Sequence, residues 1–481
     1  MASSGFLENS TGNKALFIKT YGCQMNVYDS DKMAKLLEPL GFSLVNSASN
    51  ADLIILNTCH IREKATEKVF SELGRLRKLK VEGFKNGKSV LLAVAGCVAQ
   101  AEGSEIISRA PYVDLVFGPQ TYHRLPNMVI AAENSSHGDE ITGAGIIDTD
   151  FPIEAKFDHL PKDTKSSTSA FLSIQEGCDK FCSFCVVPYT RGTEASRPAE
   201  QIRDEAVNLV KSGAKEVVLL GQNVNAYHGL SKSGKEWSLS RLIRELAEID
   251  GLSRIRYTTS HPKDMDYGLI IAHAEVPQLM PYLHLPIQTG SDRMLKAMNR
   301  KHNVAFYVKI IEELRAARPD IALSSDFIVG HPGETDRDFA DTIRLITKIG
   351  YSQAYSFKYS PRPGTPASNL EQISDAAKSD RLQTLQQLLN EQQLAFNMQS
   401  INTTQKVLVE RQRDRDGRLT GRSPFMQTVS FDGPIRLLGE VIDISIEQAT
   451  EKSLFGKALI KTQNSDHVVM NKDYSEGRKH A

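Results

Sequence analysis

Cys178, Cys182 and Cys185 stand in the run EGCDKFCSFCVVP at the spacing C-x-x-x-C-x-x-C. Three thiolates on one tight loop suit a 4Fe–4S cubane, ligating three irons and leaving the fourth open to a substrate or cofactor. A structural zinc site normally adds a fourth Cys or His at close spacing. His159 and His228 are both distant in sequence, which counts against zinc without forbidding it; a structural cluster or zinc knob is the plainer alternative. The other three cysteines, Cys23, Cys59 and Cys97, each close a short apolar run: IKTYGC, ILNTC and AVAGC. If those runs are neighbouring strands of an open parallel sheet, their C-terminal ends border the crevice where ligands bind. Cysteines 36 and 38 residues apart then meet in space. Three buried structural thiols are the alternative, free Cys being among the most buried residue types. Gly22 and Gly96 precede two of these cysteines, as suits a backbone that must pass close to a bulky group.

The elements that must position these cysteines fall into three segments. Residues 14–131 alternate β-rich apolar runs (ALFIKT, DLIILNT, SVLLAVA, YVDLVFG) with helical patterns such as VYDSDKMAKLLEPLG, closed by Gly41. This predicts a doubly wound α/β domain. A polar Gly/Ser/Thr-rich stretch, 132–163, reads as a linker. Residues 164–396 repeat the alternation in six β/α units with strands AFLSIQ, EVVLLGQ, RIRYTT, YLHLPIQ, IALSSDFIVG and AYSFKY. That predicts a full or partial parallel barrel with its site at the C-terminal strand ends. A Gln- and Leu-rich helix from about 374 to 398 leads out of it. Residues 399–462 hold short strands broken by Gly, Pro and Asp, the pattern of a small antiparallel barrel of the kind that binds nucleic acid. The tail, 463–481, reads as polar and disordered.

Across 481 residues, 58 basic groups balance 58 acidic ones. Zero net charge disfavours a chain that holds nucleic acid by bulk electrostatics, but allows basic patches. Two patches stand out: residues 62–88, with nine basic against four acidic, and residues 411–422, with five Arg against two Asp and Phe425 nearby. Arg there can contact phosphates and stack on unpaired bases; a solvated face is the plainer reading. The polar start MASSGFLENSTGNK is unlike a secretory signal. The apolar stretch Val90–Ala99 is far short of the ~20 residues that span a bilayer. A cytoplasmic protein without membrane attachment is expected, its cysteines reduced and serving a metal rather than paired.

The Cys178–Cys185 loop, with Phe184 just before its last cysteine, resembles the radical S-adenosylmethionine signature. TYGCQMN, NTC and AGC resemble the amino-terminal domain of the methylthiotransferases within that superfamily, and the likeness runs in order through a radical domain to a TRAM-type barrel. CVVPYTRGTEASRP (185–198), LLGQNVNAY (219–227), HLPIQTGSD (284–292) and SDFIVGHPGETD (325–336) resemble most the branch that acts on N6-isopentenyladenosine in tRNA. His331 departs from the aromatic residue usual in that last motif. The resemblance implies two 4Fe–4S clusters, one on each cysteine triplet, and S-adenosylmethionine as both radical source and methyl donor, with Phe184 near its adenine. Gln222, Gln288 and Asp326, at predicted strand ends, are candidate cofactor contacts; ordinary capping is at least as good a reading of any one of them. The implied partners are tRNA, held by the carboxy-terminal barrel at its anticodon arm, an electron-donor protein and a sulfur or cluster supplier. The chain is expected to act as a monomer. Relatives that modify threonylcarbamoyladenosine or a ribosomal-protein aspartate, and a non-catalytic RNA-binding iron–sulfur sensor, are the alternatives.

Overall fold

The computed structural model describes residues 14–59, 65–135, 142–152, 156–161, 167–413 and 416–459. Strands β1 (Lys14–Thr20), β2 (Phe42–Leu44), β3 (Leu53–Thr58), β4 (Leu91–Gly96), β5 (Leu115–Phe117) and β6 (Ile146–Asp148) form one sheet in the order β2-β1-β3-β4-β5-β6. Every pair is parallel. Strands β3 and β4 are buried at every residue because alternate side chains serve two cores. Leu53 and Ile55 join Met33 and Leu37 of helix Gln24–Leu37, whereas Ile54 and Leu56 join Val69 and Leu73 of helix Ala65–Lys85. The chain runs from β1 outward to β2, then crosses back to β3. The order therefore reverses between β1 and β3, and an open sheet takes ligands outside the carboxyl ends of such a pair.

The 132–163 stretch expected as a linker instead carries the end of helix Leu125–Ser135 and the edge strand β6, paired Leu115↔Ile146 with β5. Its three residues, IID, are half-buried or exposed and offer no apolar run to announce a strand. The short edge strand β2 escaped for the same reason, only Phe42 of FSL being buried.

The central segment holds β7 (Ser169–Ser173), β8 (Gln175–Glu176), β9 (Ala195–Ser196), β10 (Glu216–Leu220), β11 (His228–Leu230), β12 (Glu236–Ser238), β13 (Arg254–Tyr257), β14 (Tyr282–His284), β15 (Ala322–Val329) and β16 (Gln353–Lys358). Two parallel triplets, β7-β10-β13 and β14-β15-β16, are joined by an isolated bridge Ile255↔Leu279 just before β14. Six parallel strands in sequence order thus make the expected open barrel. Leu172, Leu219, Tyr257, Leu283 and Phe327 pack outward into the helical core. By the two-residue period of a strand, Arg256, His284, Asp326 and Tyr355 turn to the lumen.

Strands β17 (Thr404–Gln412), β18 (Leu419–Arg422), β19 (Thr428–Asp432), β20 (Val441–Ala449) and β21 (Leu454–Ala458) close a barrel in the order β17-β18-β19-β21-β20. This is the expected small antiparallel barrel, with four antiparallel pairs and one parallel pair, β19 with β21. A closed ring of five strands cannot alternate direction all the way round. The tail beyond 459 lies outside the described residues.

Both smaller domains dock on the barrel's lumen face. Met25 and Tyr28 of the first domain pack on Val218 and Leu220. From the other side, Arg254 donates to the carbonyls of Arg422 (2.9 Å) and Lys406 (2.6 Å), and Arg256 to those of Pro424 and Ser423 (both 2.9 Å). Arg256 Nε also bonds Glu216 at 2.8 Å. Burial pushes the Glu216 carboxyl up, but Arg256, Arg254 and the Ser169 hydroxyl together outweigh it and hold the group below its usual range. A depressed carboxylate stabilises the fold above its unfolded pKa and ceases to do so as pH falls through the folded value. Arg256→Ala takes the guanidinium from the buried Glu216 carboxylate, leaving it Ser169 Oγ as a hydrogen-bond donor, and from the Pro424 carbonyl, a cost of about 3–5 kcal/mol. Thermal unfolding should show that loss at pH 7, with the gap between variant and parent narrowing as pH falls below the usual glutamate range and through the lowered folded value.

Candidate metal centres

The first cysteine triplet sits at the switch point just described. Cys23 caps helix Gln24–Leu37 after β1, Cys59 follows β3 directly, and Cys97 opens helix Cys97–Glu102 after β4. These are three adjacent strands with aligned ends, paired Thr20↔Asn57 and Thr58↔Gly96. Backbone packing there is close: a Cβ on Gly22, whose φ is +110°, would lie 2.1 Å from the Cys59 Cβ. An asparagine from the TYGCQMN motif ties the floor together. Asn26 Nδ2 donates to the Thr58 carbonyl at 2.8 Å, and its Oδ1 stands 3.5 Å from Cys23 Sγ. A hydrogen bond with Cys59 lowers the Cys23 thiol to about 6 against the raising effect of burial, with Arg191 helping. Burial raises Cys97, opposed by Arg191.

The second triplet lies at the barrel mouth, on the loop after β8. Its backbone is fixed from several sides. Gln222 Oε1 accepts from Gly177 N at 2.6 Å, Ser183 N donates to Met298 O at 3.1 Å, and Asn299 Nδ2 donates to Phe181 O at 2.8 Å. Lys180 bonds Asp264 at 2.7 Å, and Arg300 Nη1 points at Cys182 Sγ from 3.5 Å. Burial pushes Cys178 up to about 11 and Cys185 up to about 12, with Cys182 adding to both. Three thiolates cannot share this pocket without a cationic centre to ionise them, which is what a bound metal provides. Among the described residues no three His, Cys, Asp or Glu donors stand at the spacing of a single-ion site. A cubane, each thiolate on its own iron, asks for a wider set.

Around the mouth, buried side-chain atoms lack partners: Asn223 Oδ1, Ser260 Oγ, His261 Nε2, Arg300 Nε and His302 Nε2. Buried polar atoms are nearly always bonded, so these fit a polar ligand such as an amino acid moiety. Burial and then Arg300 hold His261 far below its usual pKa, and burial lowers His302 to about 4, so both present neutral imidazoles. Phe181, Thr259, Gln288, Asn299 and Lys301, all at this rim or on its loops, adopt positive φ. Strain of this kind gathers at functional sites.

Of the candidate cofactor contacts, Phe184 is half-buried beside Cys185. The Gln222 side chain is spent on Gly177, so it positions the cysteine loop. Gln288 sits at φ +81° and bridges by backbone to β15. Asp326 is 3.5 Å from His284 Nε2 in the lumen. His331 packs edge-on against Tyr359 and lies 3.3 Å from Ser183 Oγ, so its ring keeps the aromatic contact and adds a polar one. Sequence reasoning missed Asn26, Arg191, Asn223, His261 and Arg300. Asn26 and Arg191 stand within six residues of a cysteine, but spacing alone did not reveal what they touch.

The second basic patch is largely paired. Arg413, Arg418 and Arg422 meet Asp416, Asp432 and Glu410, while Arg411 is exposed. Phe425 packs edge-on against Phe396 of helix Asp375–Met398 at 6.2 Å rather than in the barrel core. Lys80 of the first patch is tied to Asp114 at 2.6 Å; Arg62, Lys64 and Arg415 lie outside the described residues. No helix among the described residues is long and apolar enough to cross a membrane.

Residues 172–346, which include the three-cysteine loop, match the radical SAM superfamily and so support a radical S-adenosylmethionine enzyme. Residues 15–118 match the family described as "Uncharacterized protein family UPF0004" and residues 399–459 the TRAM domain. In this order the three matches support membership of the radical S-adenosylmethionine methylthiotransferase family. Similar solved folds include the cobalamin-dependent S-adenosylmethionine radical enzyme OxsB (12% identity, TM-score 0.51, covering 79% of this chain and 56% of that one). The chain thus spans about half the length of that protein. Another is the radical S-adenosylmethionine methyltransferase TsrM from Kitasatospora setae (12% identity, TM-score 0.53, covering 74% of this chain and 75% of that one). Likeness at this identity speaks for the fold alone.

Proposed function

We propose that this chain replaces the C2 hydrogen of N6-isopentenyladenosine, next to the anticodon of tRNA on its 3′ side, with a methylthio group. The observation that carries the reading is the gathering of Cys23, Cys59 and Cys97 at a sheet's switch point, on a domain docked against a radical S-adenosylmethionine barrel. Cys178, Cys182 and Cys185 would hold one 4Fe–4S cluster and Cys23, Cys59 and Cys97 the other. When bound, the first supplies the electron that cleaves one S-adenosylmethionine to a 5′-deoxyadenosyl radical, and the second presents the sulfur that a further S-adenosylmethionine methylates.

The chain's own residues bind, orient and exclude water. Asn223, Ser260, His261 and Arg300 have open polar atoms for the amino and carboxyl groups of S-adenosylmethionine, and Phe184 is available to its adenine. Gln288, which bridges to β15, and Asp326, beside His284 in the lumen, would be further cofactor contacts. Tyr355 and Phe357 are about half exposed on β16 at lumen-facing positions, where a planar base could stack. The TRAM barrel, docked through Arg254 and Arg256, would grip the anticodon arm with Arg411 and its neighbours. A monomer in the cytoplasm, served by an electron-donor protein and a sulfur supplier, completes the reading.

Nucleoside mass spectrometry of tRNA from a deletion strain tests the substrate. Accumulated N6-isopentenyladenosine, converted to its methylthio form by this chain but not by Cys182→Ala, is the expected result. Unchanged tRNA nucleosides would point instead to the ribosomal-protein or sensor readings.

A further inference from the structure

We propose that Arg191 is a positioning residue that locks the two cysteine triplets together and raises the reduction potential of the amino-terminal centre; this rests on the two-cluster reading above. Arg191 ends the short helix Val187–Arg191, six residues after Cys185, and its side chain is 3% exposed. One nitrogen of its fork, Nη1, donates to Glu176 at 2.7 Å, two residues before Cys178. The other, Nη2, crosses to the first domain and donates to Asp29 Oδ2 at 2.8 Å and Asn26 Oδ1 at 3.3 Å, both on the helix capped by Cys23. Helix Val187–Arg191 also packs on helix Cys97–Glu102, which Cys97 opens, and the Arg191 charge opposes the effect of burial on that thiol. A single planar group therefore ties together the polypeptide flanking both triplets and stands on the element that carries one of the sulfurs.

Charge arithmetic supports a task beyond pairing. Lys156 donates to Glu176 at 2.6 Å and to Pro119 O at 2.9 Å, and lies 4.0 Å from Asp29. Lys156, Arg191, Asp29 and Glu176 form a buried, neutral quartet whose four side chains are each 2–3% exposed. A second lysine would balance charge equally well. Only a guanidinium reaches three acceptors in fixed directions. A cluster gains negative charge on reduction, and a nearby cation stabilises the reduced form. Arg191 brings that charge to the element that carries Cys97, in a site that excludes water.

The test uses the full chain with Cys178, Cys182 and Cys185 all changed to Ala, so that only the amino-terminal centre loads. Iron is counted and the reduction potential read by a redox titration followed by electron paramagnetic resonance. Arg191→Gln should shift the potential to a more negative value at unchanged iron per chain. Arg191→Lys, which keeps the charge and loses the fork, should fall between Gln and the parent. A potential in Arg191→Gln equal to the parent's, with iron retained, overturns the proposal. If Arg191→Gln fails to load iron, the Lys variant decides, and an unshifted potential there overturns it equally. Absence of iron from the parent with intact Arg191 would instead overturn the two-cluster reading itself.

Discussion

Changing Cys178, Cys182 and Cys185 together to alanine should abolish formation of 5′-deoxyadenosine from S-adenosylmethionine, with an acceleration of about 10⁶-fold or more at stake. The three thiols share one loop pinned from three segments: by Gln222 after β10, Asp264 after β13, and Asn299 and Arg300 before helix Val304–Ala317, Arg300 against Cys182 itself. Those anchors reach backbone atoms or neighbouring residues, apart from the one contact to Cys182. Loss of the thiols therefore leaves the loop in place, and circular dichroism and Tm should change little. Burial keeps the Cys178 and Cys185 thiols protonated when no metal is bound, so their replacement by alanine removes no buried charge. Liquid chromatography of anaerobic reactions with a chemical reductant reads the nucleoside directly. Continued formation of 5′-deoxyadenosine at the parent rate would exclude this loop as the radical source.

The second large effect is selective. Cys97→Ala should leave 5′-deoxyadenosine formation within a few-fold of the parent, while the methylthio product falls below detection. Cys97 begins a helix after β4, buried among the first domain's elements, and that helix meets the barrel at helix Val187–Arg191. Removing one small buried sulfur costs little packing, so the first domain stays docked through Met25 and Tyr28 on Val218 and Leu220. The two products measured in one reaction separate this outcome from general damage. Equal loss of both products would mean that Cys97 supports the barrel rather than a separate sulfur-handling centre.

Much of this was legible in the residues. The runs DLIILNT and SVLLAVA announced buried parallel strands because two cores claim their alternate side chains, and that same burial put Cys59 and Cys97 at adjacent strand ends. The six barrel strands were legible for the same reason. Edge strands such as β6, three half-exposed residues held by one neighbour, carry no such pattern. Side-chain duties were the least legible. Gln222 stands at a strand end, as expected of a cofactor contact, yet it bonds the backbone before Cys178. Arg191 looked like one residue of a motif; only the docking of two domains reveals Asn26 and Asp29 as its partners. Phe425 could not be placed from sequence because its neighbour, Phe396, belongs to the helix that leads out of another domain.

The central claim is that each cysteine triplet holds its own 4Fe–4S cluster. Iron and acid-labile sulfide per chain, measured after anaerobic reconstitution of the parent and of the two triple-alanine variants, test it most directly. The account predicts about eight irons in the parent and about four in each variant. Four in the parent, all lost with one triplet and all kept without the other, would contradict it.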